Sequence, residues 1–207
     1  MVVEQLVKSP FVERHAVKSY DPQATLTRQQ ITELLEMAQK APSAWNLQPW
    51  KFLVFDERGA KEKLLPIAYG QQQVVDAAFT VAMLGDLEAD KNAELIYQEA
   101  VDKGFMNAEI KSRLVGQIEA AYANRQTARD QAFLNASLAA MQLMLVAKEM
   151  GYDTCPMGGF DAEKLADVFR VPDRYIPVML IAVGRAAKPA YPSSRFPTDA
   201  VTVWNSF

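Results

Sequence analysis

The chain has 207 residues and a formal net charge of −3, and half of its residues are hydrophobic. This composition is ordinary for a globular protein, and the length suits one domain with a sizeable core better than two. No apolar run reaches the ~18 residues that a membrane-spanning helix needs, and no block of Lys and Arg marks a nucleic-acid-binding face. We therefore expect neither a membrane nor a nucleic acid as a partner.

Cysteine and histidine are nearly absent. The one cysteine, Cys155, cannot form a disulfide within the chain, and the one histidine, His15, cannot supply a two-histidine metal site, so no metal is predicted. The first twenty residues carry charges throughout and lack an export signal, so we expect a reducing, cytoplasmic location. Chemistry near pH 7 without these side chains indicates a bound cofactor rather than a catalytic protein side chain.

Hydrophobic periodicity predicts the elements in chain order. A short helix at residues 3–15 is interrupted near Pro10, and a capping-box pattern at Thr27 begins a second helix that ends before Pro42. Short apolar runs predict strands, and segments of helical spacing predict two further helices broken at Gly104. The strands are residues 50–55, 78–84 and 178–183, and the two helices, which we call the helical cover, are residues 92–102 and 107–123.

A longer helix, residues 130–150, is apolar on nearly every side, which indicates burial all round. Gly151 ends it. Such a helix threads the core or lies in a subunit interface, and we expect core for most of its positions. A last helix begins after Asp161, and its expected core residues are Leu165, Val168 and Phe169.

No internal repeat, low-complexity tract or linker divides the chain. Residues 1–207 are therefore predicted to form a single domain. The tail, residues 188–207, is rich in proline and aromatic residues, and it is expected to lie on another surface, its own or a partner's.

Two basic segments suit a phosphate. In segment one, residues 13–20, Arg14 and Lys18 are four residues apart with His15 between them, and such cations make strong charge-assisted hydrogen bonds to phosphate. In segment four, residues 192–197, Arg195 stands between two prolines. By itself, segment four is equally compatible with a solvated arginine, and for segment one the simpler interpretation of solvated basic side chains is favoured.

Two further segments suit a flat polar ring. Segment two, residues 41–50, holds small residues and two amides, and amides match the imide edge of a flavin better than a phosphate. The alternative interpretation of segment two is the end of a helix followed by the start of a strand, without a ligand. We prefer this interpretation for Trp50, which is then a core residue. Segment three, residues 155–161, contains Gly158 and Gly159, which permit close backbone approach to a ligand. This is a weak signal alone.

Taken in order, the four segments resemble the nitroreductase family of flavin oxidoreductases, and the resemblance covers nearly the whole chain. Segment two and the start of the next strand read APSAWNLQPWKF, a nearly complete match to the family motif. Segments one and four match less fully but lie at the expected places. The resemblance implies an α+β fold with a mixed central sheet flanked by helices, in an intertwined homodimer that holds FMN between the subunits.

The resemblance also implies roles for individual residues. Arg14, His15 and Arg195 would hold the flavin phosphate. Lys18 would lie near the pyrimidine end of the ring, and Gln73 would face the ring. The remaining implied contacts are Ala16, a loop from the second subunit (Pro42, Ser43, Ala44 and Asn46) and a stretch behind the ring with a backbone N–H near N5 (Pro156, Met157, Gly158 and Gly159).

The chain departs from the family pattern at two positions. Ala16 replaces the usual Ser, and Ser193 stands where some members have Lys, so two contacts that would favour the phosphate are missing. In the substrate pocket, Trp45 is bulky and would narrow the opening or stack on an acceptor ring. We hypothesise that Phe105 or Tyr122 reaches the same pocket from the helical cover.

The implied reaction is hydride transfer from NADPH or NADH through FMN to an electron-poor small molecule, such as a nitroarene or quinone, with ping-pong kinetics. Three alternatives remain open from the sequence. A related flavin enzyme would catalyse dehalogenation, flavin fragmentation or azoline oxidation. A non-catalytic FMN-binding protein would hold flavin that NAD(P)H does not reduce, and a plain helical scaffold would hold no chromophore.

Overall fold

A four-stranded sheet lies at the centre of the computed structural model, which describes residues 9–207. The strands are β1 (Trp50–Phe55), β2 (Phe79–Asp86), β3 (Asp153–Met157) and β4 (Tyr175–Gly184). Their order is β1-β2-β4-β3, and every neighbouring pair is antiparallel. The predicted mixed sheet is thus mixed only through one isolated parallel bridge, between Ala16 and Thr154. Strand direction is set by pairing across the sheet, which hydrophobic alternation does not encode.

Eight α-helices surround the sheet within the described residues. They are α1 (Pro10–Glu13), α2 (Arg28–Ala38), α3 (Arg58–Leu64), α4 (Gln73–Asp76), α5 (Ala93–Asp102), α6 (Ala108–Tyr122), α7 (Arg125–Glu149) and α8 (Ala162–Phe169). The helical cover is therefore α5 and α6, broken around Gly104 as predicted. Within residues 9–207, no helix combines the length and apolar character that a bilayer crossing requires.

The second helix follows its sequence signal closely. Thr27 Oγ1 accepts a hydrogen bond from the Gln30 amide, and the Gln30 side chain accepts one from the Thr27 amide at 2.9 Å, which completes the capping box. Ile31, Leu34 and Ala38 are buried on one face of α2. This predicted helix is confirmed.

The described part of the first predicted helix is α1. It begins at Pro10, whose fixed φ and missing N–H suit the first turn of a helix, and it ends at Glu13, two residues before the predicted end. Ser9 caps this helix through its side chain. The earlier part of the predicted helix, residues 3–8, lies outside the described residues.

The long helix α7 is more exposed than its composition indicates. It begins at Arg125 rather than at residue 130, where Asn124 caps its first turn. Leu134, Leu138 and Met141 form a stripe along it and are 57%, 41% and 41% exposed. The prediction of burial on every side is wrong for one chain, because α2 and the sheet cover only part of the helix surface.

The sheet separates two cores, since successive side chains of a strand point to opposite faces. On one face, α2 and α7 pack against β-strand residues such as Phe79, Val81 and Ile181. On the other face, Leu64 of α3 and Leu165 of α8 belong to a second core. A third cluster lies beneath α5 and α6, and its members are Leu47, Ala89, Ala93, Tyr97, Ile118, Tyr122 and Ala128.

The last helix confirms most of its predicted core. Asp161 accepts a hydrogen bond from the Lys164 amide at 3.0 Å, as a helix cap does. Leu165 is fully buried, and the Phe169 ring packs edge-on against Phe55 with 4.7 Å between centroids. Val168 is 47% exposed, so its predicted burial is wrong because it faces away from the sheet side of the helix.

A glycine contact sets how closely α7 approaches the sheet. A Cβ added at Gly85 would lie 2.9 Å from Ala132 Cβ and 3.0 Å from its backbone carbonyl. We expect Gly85→Ala to lower the free energy of unfolding by ~1–3 kcal/mol, because overpacking forces the helix away from β2. Urea unfolding would measure the loss.

Gly116 provides the matched control for this substitution. It lies inside α6, where an added Cβ would meet nothing within 4 Å. Gly116→Ala should therefore raise stability by up to about 1 kcal/mol, since alanine is the better helix former. If both substitutions changed the free energy of unfolding equally, α7 would not approach β2 as closely at Gly85 as described.

Candidate functional site

Segment one lies along the edge of the sheet. The Val17 amide donates to the Thr154 carbonyl at 3.0 Å, next to the parallel bridge between Ala16 and Thr154. This contact brings segments one and three side by side, because Thr154 directly precedes segment three on β3. The two segments were predicted to share a ligand, and the fold makes them neighbours.

The cations of segment one have no carboxylate partner within residues 9–207. Arg14 is half-buried, whereas His15 and Lys18 are exposed, and none of the three forms an ion pair there. His15 also lines a cavity of about 360 Å³ together with Glu13, Lys148, Asp153 and residues 186–190. Unpaired positive charge at an exposed edge favours the binding of an anion.

Segment three consists of a strand end followed by open glycine backbone. Gly158 and Gly159 are exposed, and a Cβ added at Gly158 would meet nothing within 4 Å. Gln71 Nε2 donates to the Gly159 carbonyl at 2.7 Å, which holds this backbone to the region before α4. A flat ligand can therefore approach the peptide groups at Gly158 without a steric barrier.

The buried side chain of Gln73 contacts the strand end of segment three. Gln73 Nε2 lies 3.4 Å from Met157 Sδ and is buried. Burial raises the pKa of the Cys155 thiol, while the positive charge of Lys18 and a hydrogen bond with Gln73 act in the opposite direction. Gln73 therefore lies beside Met157 on β3, and the Cys155 thiol is packed inside the fold.

Segment two forms a loop with an unusual backbone. Trp45, Asn46 and Gln48 have φ values of 52°, 55° and 50°, in the left-handed region. Asn tolerates this region, whereas Trp and Gln rarely adopt it. Ser43 Oγ accepts from the Gln48 amide at 3.0 Å and closes the loop.

Three side chains from outside the loop hold its backbone. The Ala44 amide donates to Asn135 Oδ1 of α7 at 2.8 Å. Tyr97 of α5 donates through its hydroxyl to the Trp45 carbonyl at 3.0 Å. Asn92 donates to the Leu47 carbonyl at 2.9 Å. Sequence reasoning missed these residues, although the amide at position 135 within an otherwise apolar helix was a usable signal.

A partly buried ion pair supports this arrangement. Arg174 binds both carboxylate oxygens of Asp86, at 2.7 and 2.6 Å, and it also donates to Asn92 Oδ1 at 3.2 Å. The hydrogen bonds with Asp86 raise the pKa of the Arg174 guanidinium. Asn92 is thus oriented by the ion pair on one side and holds the Leu47 carbonyl on the other.

The predicted site residues fall into two groups within one chain. Segments one and three contribute Val17, Cys155 and Met157 to the core on the α3 and α8 face of the sheet. Segment two contributes Ala41 to the opposite core and Leu47 to the cluster beneath the helical cover. Within residues 9–207, the fold therefore joins segments one and three but sets segment two apart.

The remaining predicted residues lie at separate places. Arg195 donates to Ser193 Oγ and the Ser194 carbonyl, at 3.0 and 2.8 Å, within the exposed tail. Phe105 is 81% exposed at the turn between α5 and α6. Tyr122 is buried in the cluster with Leu47, and burial with the nearby carboxylates raises the pKa of its hydroxyl to about 12.

Comparison with known proteins connects this geometry to a class of enzyme. A sequence model of the nitroreductase family matches residues 12–185. YodC of Bacillus subtilis, named as a candidate NAD(P)H nitroreductase, is 52% identical over 191 residues, 92% of this chain and 95% of that protein. The CLA biosynthesis enone reductase of Lactiplantibacillus plantarum is 32% identical, over 91% of this chain and 88% of that protein.

A solved structure agrees in fold. The crystal structure of a candidate nitroreductase from Exiguobacterium sibiricum in complex with FMN has a TM-score of 0.88 and 38% identity, with 95% of each chain covered. The chain belongs to the nitroreductase family and is an oxidoreductase. The resemblance stated from its motifs is confirmed, and so is the α+β fold of that family.

Proposed function

We propose that the chain binds FMN and passes a hydride from NADH or NADPH to an electron-poor small molecule, such as a nitroarene or a quinone. The observation that carries this proposal is the unpaired cationic edge of segment one beside the open glycine backbone of segment three. Bound FMN would supply the two-electron chemistry. Since nicotinamide and acceptor would use the same open face, we expect ping-pong kinetics.

At the phosphate end, Arg14 and His15 supply positive charge from segment one. Arg195 would join them from the tail, exchanging its hydrogen bonds to Ser193 and Ser194 for stronger ones to the phosphate. Ala16 has no hydroxyl to donate to the phosphate, so phosphate binding is proposed to depend on cations and backbone amides.

At the ring end, Lys18 and Gln73 are proposed to meet the pyrimidine edge, because Lys18 follows Val17, which is hydrogen-bonded to β3, and Gln73 contacts Met157 at the end of that strand. A cation there would stabilise negative charge on the ring. Behind the ring we place the stretch that starts at Pro156. Its members are Pro156, Met157, Gly158 and Gly159, and their open backbone would admit the ring at van der Waals distance.

The second half of the ring site is proposed to come from another copy of the chain. Segment two belongs to a different core from segments one and three. One subunit would therefore contribute segments one and three to one flavin site and segment two to the other. The exposed stripe of α7 and the exposed apolar side chains of the tail, Phe196 and Trp204 among them, provide surface for a homodimer. The loop residues offered to the partner's flavin are Pro42, Ser43, Ala44 and Asn46.

The substrate pocket is proposed to lie beside Trp45. Its indole is partly exposed on the loop that faces the partner's ring. Phe105 is proposed to cover this pocket from the exposed turn between α5 and α6. Tyr122 would act from beneath, because it packs against the loop residue Leu47.

The visible absorption spectrum of the purified protein tests this function. We expect flavin bands that bleach when NADPH or NADH is added without oxygen, and light scattering on the same sample should give twice the 23.1 kDa mass of one chain. Flavin bands that persist with both nicotinamides would instead favour a non-catalytic flavin carrier. A colourless protein that does not take up added FMN would exclude the proposal.

A further inference from the structure

The backbone of segment two is held in a conformation that it would not adopt alone. A tryptophan and a glutamine in the left-handed region are both unfavourable, and the two occur within four residues, at Trp45 and Gln48. Such a backbone persists only where the surrounding structure over-determines it, and it is common at ligand clamps. The groups that hold it therefore set the direction in which the Trp45 side chain leaves the backbone.

Two buried side chains hold the Ala44–Trp45 dipeptide at its two ends. Asn135 is 1% exposed and accepts from the Ala44 amide, and Tyr97 donates its hydroxyl to the Trp45 carbonyl. Asn135 is itself fixed, since its Nδ2 donates to the Gln131 carbonyl at 2.6 Å. Burial keeps water from competing for these bonds, so they orient the dipeptide firmly.

We propose that Tyr97 and Asn135 are positioning residues that fix the indole of Trp45 and thereby limit the size of the acceptor that can stack in the pocket. The inference rests on the proposed function, in which segment two frames the ring. Tyr97 belongs to α5 and Asn135 to α7. The packing of the helical cover against α7 therefore sets the width of the pocket, because Tyr97 and Asn135 bond to the backbone that carries Trp45. Neither Tyr97 nor Asn135 contacts the acceptor itself.

Tyr97→Phe isolates the proposed contact. The ring of Tyr97 packs in the cluster with Leu47 and Ile118, and phenylalanine keeps that packing while it removes only the hydroxyl. Tyr152→Phe is the matched control, because Tyr152 is equally buried and its hydroxyl forms no hydrogen bond with the described residues.

Fluorine NMR with 5-fluorotryptophan reports changes in the surroundings of the indole. The chain has 3 tryptophans, and Trp45→Phe would identify the resonance of Trp45. We expect Tyr97→Phe to shift or broaden this resonance and to leave that of Trp50 unchanged, whereas Tyr152→Phe should leave both unchanged. An unaltered Trp45 resonance in Tyr97→Phe would overturn the positioning role. This measurement needs neither flavin nor turnover.

Acceptor selectivity provides the second readout. The ratio of kcat/KM for 1,4-naphthoquinone to that for 1,4-benzoquinone should change by about fivefold in Tyr97→Phe, in favour of the larger quinone, as the loss of one hydrogen bond predicts. The same hydroxyl removal in a Trp45→Gly background should change the ratio by less than about twofold, because the indole through which it acts is gone.

The two readouts separate the possible failures. Suppose that the Trp45 resonance shifts, but Tyr97→Phe changes the selectivity as much in the Trp45→Gly background as in the parent. This result would contradict the proposal that Trp45 limits the size of the acceptor. A protein that binds no FMN or reduces no quinone would contradict the proposed function, while the fluorine spectrum would still decide whether Tyr97 positions Trp45.

Discussion

Arg14→Ala is expected to weaken FMN binding roughly ten- to a hundredfold, which corresponds to ~1.5–3 kcal/mol for a hydrogen bond to a charged group. Arg14 is half-buried at the end of α1 and has no ion-pair partner within the described residues, so its removal would take away a phosphate contact without breaking a bond inside the fold. Titration of flavin-free protein with FMN, followed by fluorescence quenching, gives the dissociation constant.

Arg195→Ala should have an effect of similar size, since it would remove the second cation from the same phosphate. Arg113→Ala on the exposed surface of α6 is the control, with the same change of charge at a place that we do not assign to the site. FMN affinities equal to that of Arg113→Ala in both variants would show that the phosphate lies elsewhere.

Arg174→Ala is expected to lower the free energy of unfolding by about 3–5 kcal/mol, because it leaves the Asp86 carboxylate buried without its cation. The Asp86 side chain is only 4% exposed, whereas that of Arg174 is 29% exposed, so we expect the lower end of this range. Asn92, which holds the Leu47 carbonyl, would lose its orienting contact as well. Urea unfolding followed by circular dichroism measures the change.

An exposed ion pair supplies the comparison. Arg58 binds Glu62 on the surface of α3, where the side chains are 82% and 52% exposed. Arg58→Ala should cost less than about 1 kcal/mol, since exposed pairs are screened by water. If Arg174→Ala were no more destabilising than Arg58→Ala, the Asp86 carboxylate would not be buried in the folded protein.

Local sequence signals predicted most of the helices and strands. The capping box at Thr27 and the apolar runs of β1, β2 and β4 depend on neighbouring residues alone, and they are confirmed. Strand β3 was not predicted, because its five residues include Pro156 and form no alternating pattern. Its pairing with β4 and with segment one is a long-range interaction that local periodicity cannot reveal.

In the candidate site, too, local features were evident from the sequence and long-range contacts were not. The polar residues of segments one to three and their order along the chain were evident from the sequence, since a motif such as APSAWNLQPWKF is a local pattern. The grouping of those segments was not evident. It depends on the Val17–Thr154 hydrogen bond and on which core each segment joins.

By itself, the sequence determined the order of the main elements through residue type and spacing, and its motifs carried the family resemblance, which in turn implied the α+β class and the candidate ligand residues. The tertiary structure decided which face of α7 stays exposed, that segment two lies apart from segments one and three, and that Tyr97 and Asn135 hold the strained loop. These features arise from contacts between residues far apart in the chain. Such contacts exist only once the helices have packed on the sheet, so no local pattern records them.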